Sequence, residues 1–189
     1  MENNDEKLVA EFLLGDEKAF ELLLNRYLKH VYNFIYQFTK DASVSEDLTQ
    51  ETFIKAWKNL GKFDQEKKFK VWLFTIAKNS AYDWLKKKKT ITFSFFENED
   101  GSNVLENIEE DKILATEILE RAEIAKELED KLLEIPEKYR MILVLKYKED
   151  FALNEIAQIL KIPYNTIKSS HKRALLSLKK VLTEKSASK

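Results

Sequence analysis

At 189 residues, with 44% hydrophobic and 34% charged residues but only three glycines and two prolines, the chain has the composition of a strongly helical protein of one large or two small domains. It has no cysteine, which excludes disulfides and thiolate chemistry, and no apolar run approaches the ~18 residues of a membrane span. The net charge of −1 is a cancellation: residues 67–89 hold eight lysines against Asp83 (+7), residues 161–189 hold eight Lys and Arg against Glu184 (+7), and residues 97–130 hold thirteen acids against Lys112, Arg121 and Lys126 (−10). Segregation of this kind points to polyanion binding.

In chain order, Gly15 is expected to end a first helix at 6–14 and Asp16 to cap the next. That second helix carries Phe20, Leu23, Leu24, Tyr27, Val31, Phe34, Ile35 and Phe38 at helical spacing, a core stripe with His30 beside it as a structural histidine. Ser43 followed by Glu46 has capping-box spacing and opens a third helix at 44–60, with Leu48, Phe53 and Trp57 among its apolar positions and Gly61 as its stop. After a loop at 62–68, a fourth helix spans 69–89, with Phe69, Trp72, Leu73, Ile76, Ala77, Ser80 and Leu85 as its buried face. Phe74, Lys78, Asn79 and Tyr82 occupy another side. There, rings, an amide and a cation offer a nucleic-acid strand stacking, pairing and phosphate contacts; the alternative is a helix buried on two faces.

The helical pattern lapses at 90–117, an acidic linker around Gly101, and resumes with Ile118, Ala122, Ile124, Leu128, Leu132 and Leu133. Pro136 opens a helix at 137–147 whose Tyr139, Ile142, Leu143 and Leu145 complete a second core. Residues 151–178 then read as two short helices across a sharp turn. Ile156, Ala157 and Leu160 line one face of the first, Ile162 fills the turn, and Pro163 suits a first helical position. Along the second, Ile167, His171, Ala174 and Leu178 face inward, leaving Asn165, Lys168, Ser169 and Lys172 opposite, side chains of the kind that reach base edges and phosphates in a major groove. On this stretch alone, a small three-helix bundle that contacts protein stays open. An enzyme is disfavoured: there is no P-loop or dinucleotide-binding glycine motif, no Cys nucleophile, and only two well-separated His. No catalytic residue, metal or cofactor is expected.

Four segments, taken in order and spacing, are specific together: GDEKAFELLLNRY at 15–27, EDLTQETFIKAW at 46–57, FKVWLFTIAKNSAYDWLKKKK at 69–89, and IPEKYRMILVLKYKEDFALNEIAQILKIPYNTIKSSHKRA at 135–174. In these the chain resembles the sigma-70 family of bacterial transcription initiation factors, in its smallest, extracytoplasmic-function (ECF) branch. The resemblance implies an all-α fold of two small helical domains. Residues 5–89 would bind core polymerase and recognise and melt the minus-ten element, 90–117 would be an acidic flexible linker, and 118–186 would be a helix-turn-helix domain for the minus-thirty-five element. It implies a cytoplasmic protein, with no membrane insertion, that directs core RNA polymerase to specific promoters. Core polymerase and promoter DNA are the partners implied, with an anti-sigma factor as a further one.

By position, Asp47, Leu48, Gln50 and Glu51 match the family segment that docks on the clamp coiled coil of the polymerase's largest subunit. Phe63, Lys78, Asn79 and Tyr82 fall on the minus-ten surface, Phe63 and Asn79 matching positions that capture a flipped base. Asn165, Thr166, Lys168, Ser169, Lys172 and Arg173 fall on the minus-thirty-five surface. The chain departs from the family pattern at Lys161, where the turn usually has Gly, and at Ala152, where a Ser/Thr cap is usual and Asp150 is the substitute at hand. Ser170 replaces a common Arg, and Lys172 a commonly apolar or aromatic residue. The second function considered, a helix-turn-helix repressor or activator acting without polymerase docking, accounts for 151–178 but not for EDLTQETF or the aromatic and Lys pattern at 69–89.

Overall fold

The structure, a computed structural model, describes residues 4–89 and 131–184. The expected linker at 90–117 and the apolar positions Ile118, Ala122, Ile124 and Leu128 lie outside the described residues. Every regular element among the described residues is helical. They fall into two units, residues 4–89 with 152–162, and residues 131–151 with 163–184.

The first unit opens with α1 (Asp5–Leu13) and α2 (Glu17–Thr39). Gly15, at φ 103°, makes the left-handed turn between them, and the Asp16 carboxylate accepts the Lys18 N–H at 3.0 Å. On α2 Leu23, Val31, Phe34 and Ile35 are fully buried, whereas Phe20 and Leu24 are half-buried and His30 is exposed, its ring beside Tyr27. Asp5 accepts from both Arg26 and the Tyr27 hydroxyl, fastening α1 to α2.

Lys40 ends α2 in the left-handed region (φ 51°) and Asp41, not Ser43, caps α3 (Ala42–Asn59), its carboxylate accepting the Val44 N–H at 3.1 Å. Asp41 is the first extended residue after α2, so Ser43 is already inside the helix. Of the apolar positions named on α3, Leu48 and Phe53 are buried and Trp57 is 51% exposed, Ala56 taking the buried position beside it. A 3-10 turn, Leu60–Lys62, leads through the loop into α4 (Phe69–Lys89), which has the expected bounds.

The last element of the first unit is α6 (Leu153–Leu160). Asp150 is not its cap. Glu155 instead reaches back to accept the Ala152 N–H at 2.8 Å, half of a capping box, and also accepts from Lys68 Nζ at 2.7 Å. Lys161 closes α6 at φ 57°, ψ 45°, with the Ile162 N–H donating to the Ala157 carbonyl at 3.0 Å. A β-carbon in that conformation is strained, and Lys161→Gly is expected to stabilise the chain by about 1 kcal/mol, read as a higher thermal midpoint. An unchanged or lower midpoint would contradict the strain.

In the second unit residues 131–134 are helical, and α5 (Glu137–Leu143) follows Pro136, its N-cap. The helix expected to run to Tyr147 widens instead into a π turn at Val144–Lys148, with the Glu149 N–H donating to the Val144 carbonyl at 3.1 Å. α7 (Tyr164–Glu184) starts where Pro163 allows. Leu132, Ile135, Leu143, Ala174 and Leu178 form the core of this unit, while Leu133 is 40% exposed.

Candidate protein and nucleic-acid interfaces

α3 buries Ser45, Leu48, Thr49, Thr52, Phe53 and Ala56 and turns Asp47, Gln50 and Glu51 to solvent. The four expected docking residues therefore divide: three share the outer face, and Leu48, 8% exposed, belongs to the core. Ile54 and Trp57, 52% and 51% exposed, continue the outer face at i+7 and i+10 from Asp47. Sequence reasoning missed Ile54 and named Trp57 only as an apolar position of the helix, without a site role. The available signal was phase, since both lie off the Leu48–Thr52–Ala56 line. Glu51 pairs with Lys55 at 2.5 Å, and Lys55 Nζ donates to Ser80 Oγ at 3.2 Å.

α4 is buried on two faces, because Phe74 and Ala81 are as enclosed as Phe69, Leu73 and Ala77. Of the expected minus-ten residues, Asn79 is exposed, Tyr82 is half-buried and Lys78 is only 8% exposed, its Nζ 5.6 Å from the centre of the Tyr82 ring. Burial, and secondarily the charge of Lys161, pull the Lys78 ammonium below the ordinary lysine value. Phe63 is buried against Trp72 and Phe69, ring centres 5.0 and 6.1 Å apart. Lys78, Asn79 and Tyr82 thus share just over one turn. Phe63 is anchored at Trp72, roughly 10 Å nearer the start of α4 than Asn79.

On α7, Asn165, Lys168 and Ser169 are exposed, and Thr166, Lys172 and Arg173 are half-buried. The Ser169 hydroxyl donates to the Thr166 carbonyl at 3.0 Å. Ile167, Ala174 and Leu178 are buried as expected, and so is Ser170, which turns inward rather than standing among the outer polar groups. His171 is half-buried, its Nε2 3.0 Å from the Tyr147 hydroxyl; burial first and Lys146 second lower its pKa and favour the neutral ring. Among the described residues no cluster of acids and histidines could hold a metal, and no helix is long and apolar enough to cross a membrane.

The Sigma-70 region 2 family profile matches residues 23–91, and the Sigma-70, region 4 profile matches residues 125–178. The chain is 32% identical to the ECF RNA polymerase sigma factor SigW of Bacillus subtilis, over 97% of this chain and 100% of that one. It is 30% identical to the RNA polymerase sigma-H factor of Pseudomonas aeruginosa, over 96% and 95%. In fold it is similar to CnrH, solved in complex with the cytosolic domain of CnrY, with a TM-score of 0.68 at 22% identity over 95% of this chain and 97% of that one.

Proposed function

Since the chain belongs to the ECF branch of the sigma-70 RNA polymerase sigma factors, we propose that three of its helix faces divide the work of initiation. The outer face of α3 docks core polymerase. The single observation that carries this is the exposed Asp47, Gln50 and Glu51 continuing into exposed Ile54 and Trp57, on a helix whose other side is core. An apolar pair beside acids and an amide has the anatomy of a protein interface, with anchors that bury and polar groups that set register.

The exposed end of α4 receives the melted minus-ten strand. Asn79 offers a donor and an acceptor to an unpaired base edge, and the Tyr82 ring offers a stacking surface. Lys78, pinned over Tyr82, supplies a positive field behind that ring, and Phe63 holds the loop at 62–68 against α4 through Trp72. The outer face of α7 reads the minus-thirty-five duplex, with Asn165, Lys168 and Ser169 outermost and Thr166, Lys172 and Arg173 at its flanks. Residues 5–89 and 118–186 act as the two domains joined by the acidic segment at 90–117. Such a chain works in the cytoplasm, where an anti-sigma factor would silence it by covering one of these faces.

The test is affinity purification of the tagged chain from its own host. Core polymerase subunits are expected in stoichiometric amount. Binding to an operator without polymerase, and no co-purification, would favour the repressor or activator instead.

A further inference from the structure

α2 carries a surface that none of these roles uses. From residue 22 to 40 the sequence contains no acid, and Lys29 and Lys40 supply cations, while Arg26 is paired with Asp5 of α1. On the side away from Leu23, Val31 and Ile35, Tyr32 and Tyr36 stack one turn apart, ring centres 6.0 Å apart and planes at 17°. Lys40 Nζ lies 5.3 Å from the centre of the Tyr36 ring and donates to Gln37 Oε1 at 3.4 Å. The left-handed backbone of Lys40, at the C-cap, ends the helix at this point. Lys29 and Asn33, both exposed, border the ring pair, Lys29 three residues before Tyr32 and Asn33 three before Tyr36. The two rings are half-buried, so they are held in place while part of each meets solvent.

A merely solvated helix face mixes charges of both signs. This one has a ring pair, an amide and cations only, the combination that binds a single nucleic-acid strand by stacking and phosphate contacts. We infer that the Lys29, Tyr32, Asn33, Tyr36 and Lys40 face of α2 is an additional binding platform for single-stranded DNA. The inference rests on the sigma-factor function for the source of that strand, the DNA melted next to the minus-ten element. Bases stack on the tyrosine pair, Lys29 and Lys40 contact phosphates, and Asn33 meets an unpaired edge.

The experiment is fluorescence anisotropy of labelled oligothymidylate with the full chain at low salt, beside its duplex with oligoadenylate and beside oligouridylate. Tyr32→Leu combined with Tyr36→Leu is expected to weaken oligothymidylate binding about tenfold, while the paired Tyr→Phe variant, which keeps both rings, binds as the parent does. Lys40→Gln is expected to reduce the slope of log affinity on log salt by about 0.7, one phosphate contact. Equal affinity of the parent and the Leu variant, or preference for oligouridylate, would overturn the inference. So would loss of core-polymerase co-purification by the Leu variant with oligothymidylate binding intact, which would assign the face to a protein contact. Co-purification of the parent chain is scored in parallel. Its failure sinks the sigma-factor function, whereas co-purification with unaltered oligothymidylate binding in every variant sinks only this platform.

Discussion

Glu51→Lys, and equally Gln50→Ala combined with Glu51→Ala, is expected to abolish co-purification with core RNA polymerase while the chain stays folded. The ion pair lost with Glu51 is half exposed on both sides, 48% for Glu51 and 42% for Lys55, and such pairs contribute at most about 1 kcal/mol. A lysine one turn before Lys55 adds a repulsion of only a few tenths of a kcal/mol. Stability therefore changes little, but a charge of the wrong sign now sits in the middle of the docking face. At an interface such an inversion removes a contact and adds a desolvated repulsion. Circular dichroism with thermal melting checks the fold, and pull-down checks the docking. A folded variant that still co-purifies would remove α3 from the interface.

Asn79→Ala and Lys168→Ala are expected to separate two steps of promoter engagement. Asn79 is exposed on α4, and its loss should impair strand opening with little effect on duplex binding; Lys168 is exposed on α7, and its loss should weaken the closed complex. Each is expected to cost about 1–3 kcal/mol, the scale of one good base or charged contact. Permanganate footprints of the melted strand measure the first effect, and gel shifts of the unopened complex the second. Neither substitution touches a core, so the unfolding free energy should stay within about 0.5 kcal/mol of the parent. An unchanged footprint with Asn79→Ala would show that the melted strand is held elsewhere.

Much of the fold was legible because local chemistry and tertiary packing agree. Gly15 and Asp16 mark a turn that only their backbone and side chain can make cheaply, and Pro163 starts α7 where its missing N–H costs nothing. The 3.6-residue stripe on α2 is buried nearly as written. What was not legible depends on partners distant in sequence. For Phe74 and Lys78 on α4 the sequence leaves an open nucleic-acid face and a second buried face both standing, because burial there is set by what other elements bring against it, and Phe34 brings its ring to 5.4 Å from Phe74. Phe63 stands in a loop, and its cover by aromatic neighbours on α4 has no signal in the sequence.

The other misses are local. Asp41 displaced Ser43 as a cap because the left-handed Lys40 sets the chain's entry into α3 two residues earlier. The π turn after α5 has no composition signal, since Val144–Lys148 would suit an α-helix equally well. Among the polar candidate site residues, Asp47, Gln50, Glu51, Asn79, Asn165, Lys168 and Ser169 are exposed, whereas Thr166, Lys172 and Arg173 are half-buried and Lys78 is buried. Those that mix an apolar body with a functional tip, or stand beside a core position, required coordinates.

The most direct test of the central claim is genome-wide run-off transcription with purified core polymerase, with and without this chain. The account predicts a limited set of discrete transcript starts that appear only when the chain is added and vanish with Glu51→Lys. Transcript starts that are the same with and without the chain would contradict it.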